Sequence, residues 1–299
     1  MRNEVCVKYT LGKSAAKTSV GKTPRVHIKK EKGKMTKATT KKKLAVLGNG
    51  FLAGIIVEAY NKGLLEEYEL TGILGRTKEK TEALAEKGGC RPCSTLEELL
   101  EDKPDYVAEA ASVKAVQDYG MKILSGGADM ILLSIGALAD ETFYRKISEC
   151  AKENGRKIHI ASGAIGGFDV LRTISLMGQA QTSFRTKKGP KSLSGTPLFE
   201  ESLMTDREEK QVFHGSAKKA ISILPTKVNV AIAASLASSG PENVDMSIFS
   251  VPEMVGDDHK ITAQIPGVKA ELDIYSSTSA IAGWSVVAVL KNLVSPVVF

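Results

Sequence analysis

A short apolar run, Leu44-Ala-Val-Leu47, closes on Gly48-Asn-Gly-Phe-Leu-Ala53 and passes directly into Gly54-Ile-Ile-Val-Glu-Ala-Tyr60. A buried strand, a glycine turn and a helix within 17 residues leave few folds open. The turn has the spacing GxGxxA. Gly48 permits a tight turn, Gly50 lets backbone approach a pyrophosphate, and small Ala53 lets the helix lie close to the sheet. Asn49 sits in the turn. Phe51 and Leu52 open the helix, where unpaired N–H groups and the positive dipole end favour phosphate. The alternative, a strand–turn–helix that only supports a core, has the same outline.

The downstream pattern favours the first reading. Tyr68–Gly75, Tyr106–Ala111, Met130–Ser134 and Lys157–Ala161 read as strands. Between them Thr77–Lys87, Ser94–Glu101, Val113–Ser125 and Glu141–Asn154 read as helices, the short one opening on a cap at Ser94-Thr-Leu-Glu97. Such alternation builds βαβ units and a parallel sheet. Ile165–Leu176 reads as a helix leaving this sheet. After it, Thr182–Thr186, Val244–Val251, Lys260–Ile265 and Lys269–Tyr275 alternate as antiparallel strands do, with helices over Ser216–Ile223, Val228–Ser239 and Ala280–Val294. The expected fold class is α/β: a Rossmann-type dinucleotide-binding domain over 44–165, then an α+β catalytic domain with a mixed or antiparallel sheet over 166–279. A terminal helix, 280–299, is free to pack back on the first domain.

The end of the second strand bears on the cofactor. An NAD site usually carries Asp or Glu there, to hold the ribose hydroxyls. Here the strand ends Gly75-Arg76-Thr77. Arg76 suits a 2′-phosphate and Thr77 adds a hydroxyl, so the cofactor is NAD or NADP with a lean to NADP. The other reading of Arg76 is a solvated loop residue.

Charge separates the chain into two parts. The formal net charge is +7, but residues 1–43 hold 14 bases and two acids, Glu4 and Glu31. They net +12, which leaves the other 256 residues at −5. Residues 1–43 lack hydrophobic periodicity and read as a disordered basic extension. Residues 1–34 are either an unstructured tail or precede a true start at Met35. Any nucleic-acid binding rests on this stretch alone. With Tyr9 as its one aromatic residue it offers no stacking platform, so no specific nucleic acid is expected. Four cysteines are too few for a disulfide scaffold. Cys90-Arg-Pro-Cys93 lacks the second ligand pair of a zinc site and reads as plain residues near a short strand, so no metal is expected. The lack of a secretory h-region or a long apolar span points to the cytoplasm and no membrane.

Six stretches together resemble the L-aspartate dehydrogenase family. They are the glycine turn; Glu109-Ala-Ala-Ser-Val-Lys-Ala-Val116; Ser134-Ile-Gly-Ala-Leu-Ala-Asp140; Ser162-Gly-Ala-Ile-Gly-Gly-Phe-Asp169; Phe213-His-Gly-Ser-Ala217 with Pro225-Thr-Lys-Val-Asn-Val-Ala231; and Pro252-Glu-Met-Val-Gly-Asp-Asp-His259. The resemblance implies NAD(P)-dependent oxidation of L-aspartate to iminoaspartate. That product feeds quinolinate and NAD synthesis, which suggests a functional link to quinolinate synthase, or hydrolyses to oxaloacetate and ammonia. It also implies cofactor contacts by Ala164 and Asn229, and a catalytic role for His259; Ala111 and Ser112, after the third strand, are further candidates for cofactor contact. Lys227, Asp257 and Ser276-Ser-Thr-Ser279 stand where the family commonly has other residues, all on the substrate side. By analogy with related two-domain dehydrogenases a homodimer is expected.

The chemistry is consistent with this. Amine oxidation moves a hydride from Cα to the nicotinamide and requires a neutral amine, so the protein orients groups and handles protons. His259 is a suitable acid/base, with Asp257 and Asp258 placed to orient its ring or raise its pKa. By residue type alone it is equally a loop histidine in an Asp-rich turn. His214 reads as a turn residue and His159 as a sheet residue. Two substrate carboxylates call for cations or N–H groups. Lys191 and Lys227 are the candidate cations, with solvated surface lysines as the alternative. Ser162 and Gly163 are candidates at the C-terminal edge of a strand. The rival functions are a related reductase for another amino or keto acid, or a non-catalytic NAD(P)-sensing module.

Overall fold

The computed structural model describes residues 40–224 and 229–299, and Thr40–Phe299 form one compact unit. The expectations for residues 1–39, Met35 among them, and for Lys227 lie outside the described residues.

The first part runs β1 (Lys42–Leu47), α1 (Phe51–Asn61), β2 (Tyr68–Leu74), α2 (Lys78–Gly88), β3 (Arg91–Cys93), α3 (Leu96–Glu101), β4 (Tyr106–Glu109), α4 (Val113–Ser125), β5 (Asp129–Leu132), a 3₁₀ turn at Ile135–Ala139, α5 (Glu141–Glu153) and β6 (Ile158–Ile160). All six strands pair in parallel in the order β3-β2-β1-β4-β5-β6. The apolar run Leu44–Leu47 is buried throughout, as a strand covered on both faces requires. Chain order reverses between β1 and β4, the place where α/β sheets open a crevice for ligands.

The second part runs α6 (Phe168–Met177), β7 (Gln181–Lys188), α7 (Pro190–Leu193), β8 (Lys210–Ser216), α8 (Ala217–Ile223), α9 (Asn229–Leu236), β9 (Val244–Ser250), β10 (Asp257–Ile265), β11 (Val268–Ser276) and α10 (Ala280–Val294), with a short 3₁₀ turn at Glu201–Met204. Its sheet has the order β11-β10-β7-β9-β8. Alternate residues point into the core: Thr182, Phe184 and Thr186 from β7, Val244, Met246 and Ile248 from β9, His259, Ile261 and Ala263 from β10. Leu171 and Ile174 of α6 belong to the same core. The last helix returns to the first sheet. Val286, Val287 and Leu290 join the core of Leu44, Val46, Ile56 and Val57, and the buried Tyr68 hydroxyl donates to the Leu290 carbonyl at 2.7 Å. Three such apolar side chains contribute about 1.5–3 kcal/mol each.

The structure changes several expectations. Strand β1 begins at Lys42, two residues before the apolar run, because Lys42 and Lys43 pair with Tyr68 and Glu69 of β2. The cap of α3 is Thr95, whose hydroxyl accepts from Glu98 N, while Glu98 accepts from Ser94 N in return. The capping box is therefore one residue later than read. Helix α6 starts at Phe168, because Gly163 and Gly167 adopt positive φ and hold the preceding segment as a loop. Strand β8 was not foreseen, and it puts His214 opposite Ser247 in a ladder instead of in a turn. Its pairing shifts between Gln211 and Phe213, which breaks the period-two signal. The second sheet takes the mixed form of the two expected, with β7 and β9 running parallel.

Candidate functional site

The loops after the parallel strands share one edge of the first sheet. They carry Gly48–Leu52, Arg76–Thr77, Ala111–Ser112 and Ser162–Ala164. Gly48 has φ +133°, and a Cβ there would lie 2.4 Å from the Ala110 carbonyl oxygen, so the turn is pressed against the end of β4. Gly50 is different. It caps α1 without a side-chain hydrogen bond, and a Cβ built on it meets nothing within 4 Å. Open space in front of unpaired helix N–H groups fits a pyrophosphate. Phe51 beside it is exposed. Asn49 works from inside: its amide donates to Thr77 O at 2.8 Å and Thr81 Oγ1 at 2.9 Å, which ties the glycine turn to the start of α2. Beyond β2 lies a cavity of about 260 Å³ lined by residues that include Gly75, Arg76, Lys78 and Ser94. Arg76 is exposed at its rim. Neither Arg76 nor Thr77 is replaced by a carboxylate that would repel a 2′-phosphate.

Other predicted contacts have structural partners. The Ser112 hydroxyl caps α4 by accepting from Ala115 N, and Ala111 is exposed beside it. Gly163 N donates to Ser285 Oγ at 3.0 Å, so that N–H holds α10. Ser162 and Ala164 are half-buried in the same loop. Asn229, the first residue of α9, accepts from Gly136 N at 2.8 Å. That bond brings the second part of the chain to the edge of the first sheet. Helix α6 leaves this edge and packs on β10, the strand of His259.

His259 is 2 % exposed, which excludes a surface-loop residue. It lies opposite Thr186 in the β7–β10 ladder, with Nδ1 2.9 Å from Thr186 Oγ1. Its ring stacks on Phe184 at 5.7 Å between centroids. These contacts fix the ring and leave Nε2 without a hydrogen-bond partner among the described residues. Burial, reinforced by the Lys188 charge and opposed by Asp257, pushes the imidazole pKa down to about 4. The expected rise is therefore corrected: burial outweighs the neighbouring carboxylate, and Thr186 rather than an aspartate touches the ring. Asp258 points to the opposite sheet face, where burial and Asp273 raise its pKa.

Two positions from Thr186 on the same face of β7, Lys188 Nζ meets Asp257 Oδ1 at 2.8 Å. The Lys188 side chain is 13 % exposed, whereas Lys191 is exposed on α7 and has no ion-pair partner among the described residues. A strand read as ending at Thr186 passes over Lys188. The alternation Thr182-x-Phe184-x-Thr186-x-Lys188 was the available signal. His214 faces Ser247 and Asp245 on the exposed side, and His159 faces Asp129. Cys93 is buried in β3, and burial pushes the Cys90 thiol up to about 11. Among the described residues no group of three or more His, Cys, Asp or Glu is placed to hold a metal, and no helix is long and apolar enough to cross a membrane.

Comparison with known proteins places this geometry. An L-aspartate dehydrogenase of Methanococcus maripaludis strain C6 is 36 % identical over 264 residues, spanning 85 % of this chain and 98 % of the relative. The chain belongs to the L-aspartate dehydrogenase family. Residues 169–293 match a family described as aspartate dehydrogenase, C-terminal, and residues 48–161 match the NAD-binding domain described for homoserine dehydrogenase. The Methanocaldococcus jannaschii member is 29 % identical over 266 residues, again across 85 % of this chain and 98 % of its own length. Among solved structures, the aspartate dehydrogenase of Thermotoga maritima aligns with a TM-score of 0.68 at 26 % identity, covering 86 % of this chain and 99 % of that one. The family is one of NAD(P)-dependent oxidoreductases, and the parallel sheet followed by a mixed sheet is its fold.

Proposed function

We propose that this protein oxidises L-aspartate to iminoaspartate with NAD or NADP. The observation that carries the reading is the buried, neutral His259 imidazole beside the Lys188–Asp257 pair, on a strand packed under the helix that leaves the cofactor edge. Similarity to L-aspartate dehydrogenases across 85–86 % of this chain supports it. The bound nicotinamide supplies the acceptor for the hydride that leaves Cα. Gly50, Phe51 and Leu52 hold the pyrophosphate by backbone N–H groups. Arg76 and Thr77 face the adenosine end and admit a 2′-phosphate. Ala111, Ser112, Ser162, Gly163, Ala164 and Asn229 border the rest of the cofactor and the substrate.

His259 takes a proton from the substrate ammonium at Nε2, which leaves the neutral amine that can form C=N as the hydride departs. A free-state pKa near 4 makes a weak base. The two substrate carboxylates beside the ring add negative charge and raise that pKa towards the working range. Thr186 holds the ring through Nδ1. Lys188 supplies the cation for one substrate carboxylate, with Lys191 and Lys227 as further candidates.

The proposal extends to setting. The protein works in the cytoplasm as a homodimer, built on the outward face of the second sheet, where Phe249 and Tyr275 lie among charged residues. Its parts divide at 44–165, 166–279 and 280–299. Its product feeds quinolinate and NAD synthesis, with quinolinate synthase as the functional neighbour, or hydrolyses to oxaloacetate and ammonia. Initial rates with L-aspartate, L-glutamate, L-asparagine and L-alanine against both cofactors test the substrate. Reduction specific to L-aspartate is expected. Faster reduction with a monocarboxylate amino acid would favour the rival reductase reading.

A further inference from the structure

Glu109 ends β4 and is 0 % exposed, although it is ionisable. Its Oε1 accepts from Ala111 N at 2.8 Å and from Ser134 Oγ at 2.7 Å. Its Oε2 accepts from Ser134 N at 2.8 Å and from Leu133 N at 3.2 Å. Burial raises its pKa while these four donors act the other way. An unpaired carboxyl at such a place is costly, so the pattern of partners says what it is kept for. The donors come from two different loops, the one after β4 and the one after β5, and the side chain joins them.

Both loops lie on the cofactor edge and both are tied onward. Ala110 N donates to Leu47 O at 2.8 Å, and the Ala110 carbonyl packs against Gly48. On the other side Ser134 leads into the 3₁₀ turn whose Gly136 N donates to Asn229 Oδ1 at the head of α9. A continuous bonded path thus runs from the glycine turn through Ala110–Ala111, Glu109, Ser134 and Gly136 to Asn229. We propose that Glu109 is a positioning residue: its carboxylate locks the two loops so that the backbone rim facing the cofactor and the head of α9 hold one fixed spacing. The inference rests on the reading that a dinucleotide lies along this edge. It adds a residue that touches neither cofactor nor substrate and acts through Ala111, Ser134 and Asn229.

Glu109→Gln keeps the shape but replaces two acceptor positions with an amide N–H₂, which faces an N–H donor in either orientation. Binding of reduced NAD and NADP, followed by nicotinamide fluorescence, should weaken about 10-fold in this variant. Ser134→Ala removes one donor of the four and leaves the backbone bonds, so a folded protein with Kd raised about 3-fold is expected. Glu109→Gln and Asn229→Ala together should weaken binding by less than the product of the single effects, because both act on one path. A purely structural Glu109 would lower the thermal midpoint and leave Kd unchanged. Cofactor binding within about twofold of the parent in a folded Glu109→Gln protein, or in Ser134→Ala if the first does not fold, would overturn the inference alone. An unmodified protein that binds neither reduced cofactor would overturn the cofactor reading and the inference with it.

Discussion

His259 shows how much one buried side chain couples stability to pH. Its ordinary pKa is 6.5, and burial with the Lys188 charge brings it to about 4 in the folded chain. Above 6.5 the imidazole is neutral in both states and costs nothing. As pH falls from 6.5 towards 4 the unfolded chain binds a proton that the folded chain does not, so stability is lost across that window. The full difference is about 3 kcal/mol. Denaturant unfolding at pH 7 and pH 4 should show His259→Asn losing less stability than the parent by roughly this amount. Equal losses would mean that the ring is charged or solvated in the folded protein.

The glycine turn behaves as an element with two unlike halves. Gly48 is required by the fold, because a Cβ at φ +133° would collide with the Ala110 carbonyl. Gly50 is required by the ligand, because a Cβ there meets only open space. Gly48→Ala should therefore cost about 3 kcal/mol or more of folding stability. Gly50→Ala should leave stability within about 0.5 kcal/mol and weaken cofactor binding instead. Thermal melts and fluorescence titration of the two variants separate these effects. Equal destabilisation would contradict the division. Elements like this one were legible because their signals are local: an apolar run, glycines at fixed offsets, and the ends of α4 and α10. What was not legible depends on pairing between distant segments. Strand β8 has a charged first residue, a glycine near its end and an irregular register, and only β9 makes it a strand. The parallel pairing of β7 with β9 follows from topology, and so does the placing of Thr186 and Lys188 across from His259 and Asp257. Glu109 opens the stretch Glu109–Val116, but its role comes from Leu133 and Ser134, which share no local pattern with it.

At the scale of the molecule, one buried apolar cluster spans the two sheets, and polar contacts fix its edge. Ser285 of the last helix holds Gly163, Asn229 holds Gly136, and α10 seats its apolar face on α1. The cofactor edge and the His259 strand are thereby drawn from segments remote in sequence, and the acidic balance of residues 44–299 leaves single cations to do the recognising. The central claim is that these parts form one dehydrogenase site with His259 as its proton acceptor. It is tested most directly by steady-state formation of reduced nicotinamide from L-aspartate, in the parent and in His259→Ala, with cofactor affinity measured separately by fluorescence. The parent should turn over with NAD or NADP, and the variant should lose at least about 100-fold in kcat while binding cofactor as before. No aspartate-dependent reduction in the parent, or undiminished kcat in the variant, would contradict the account.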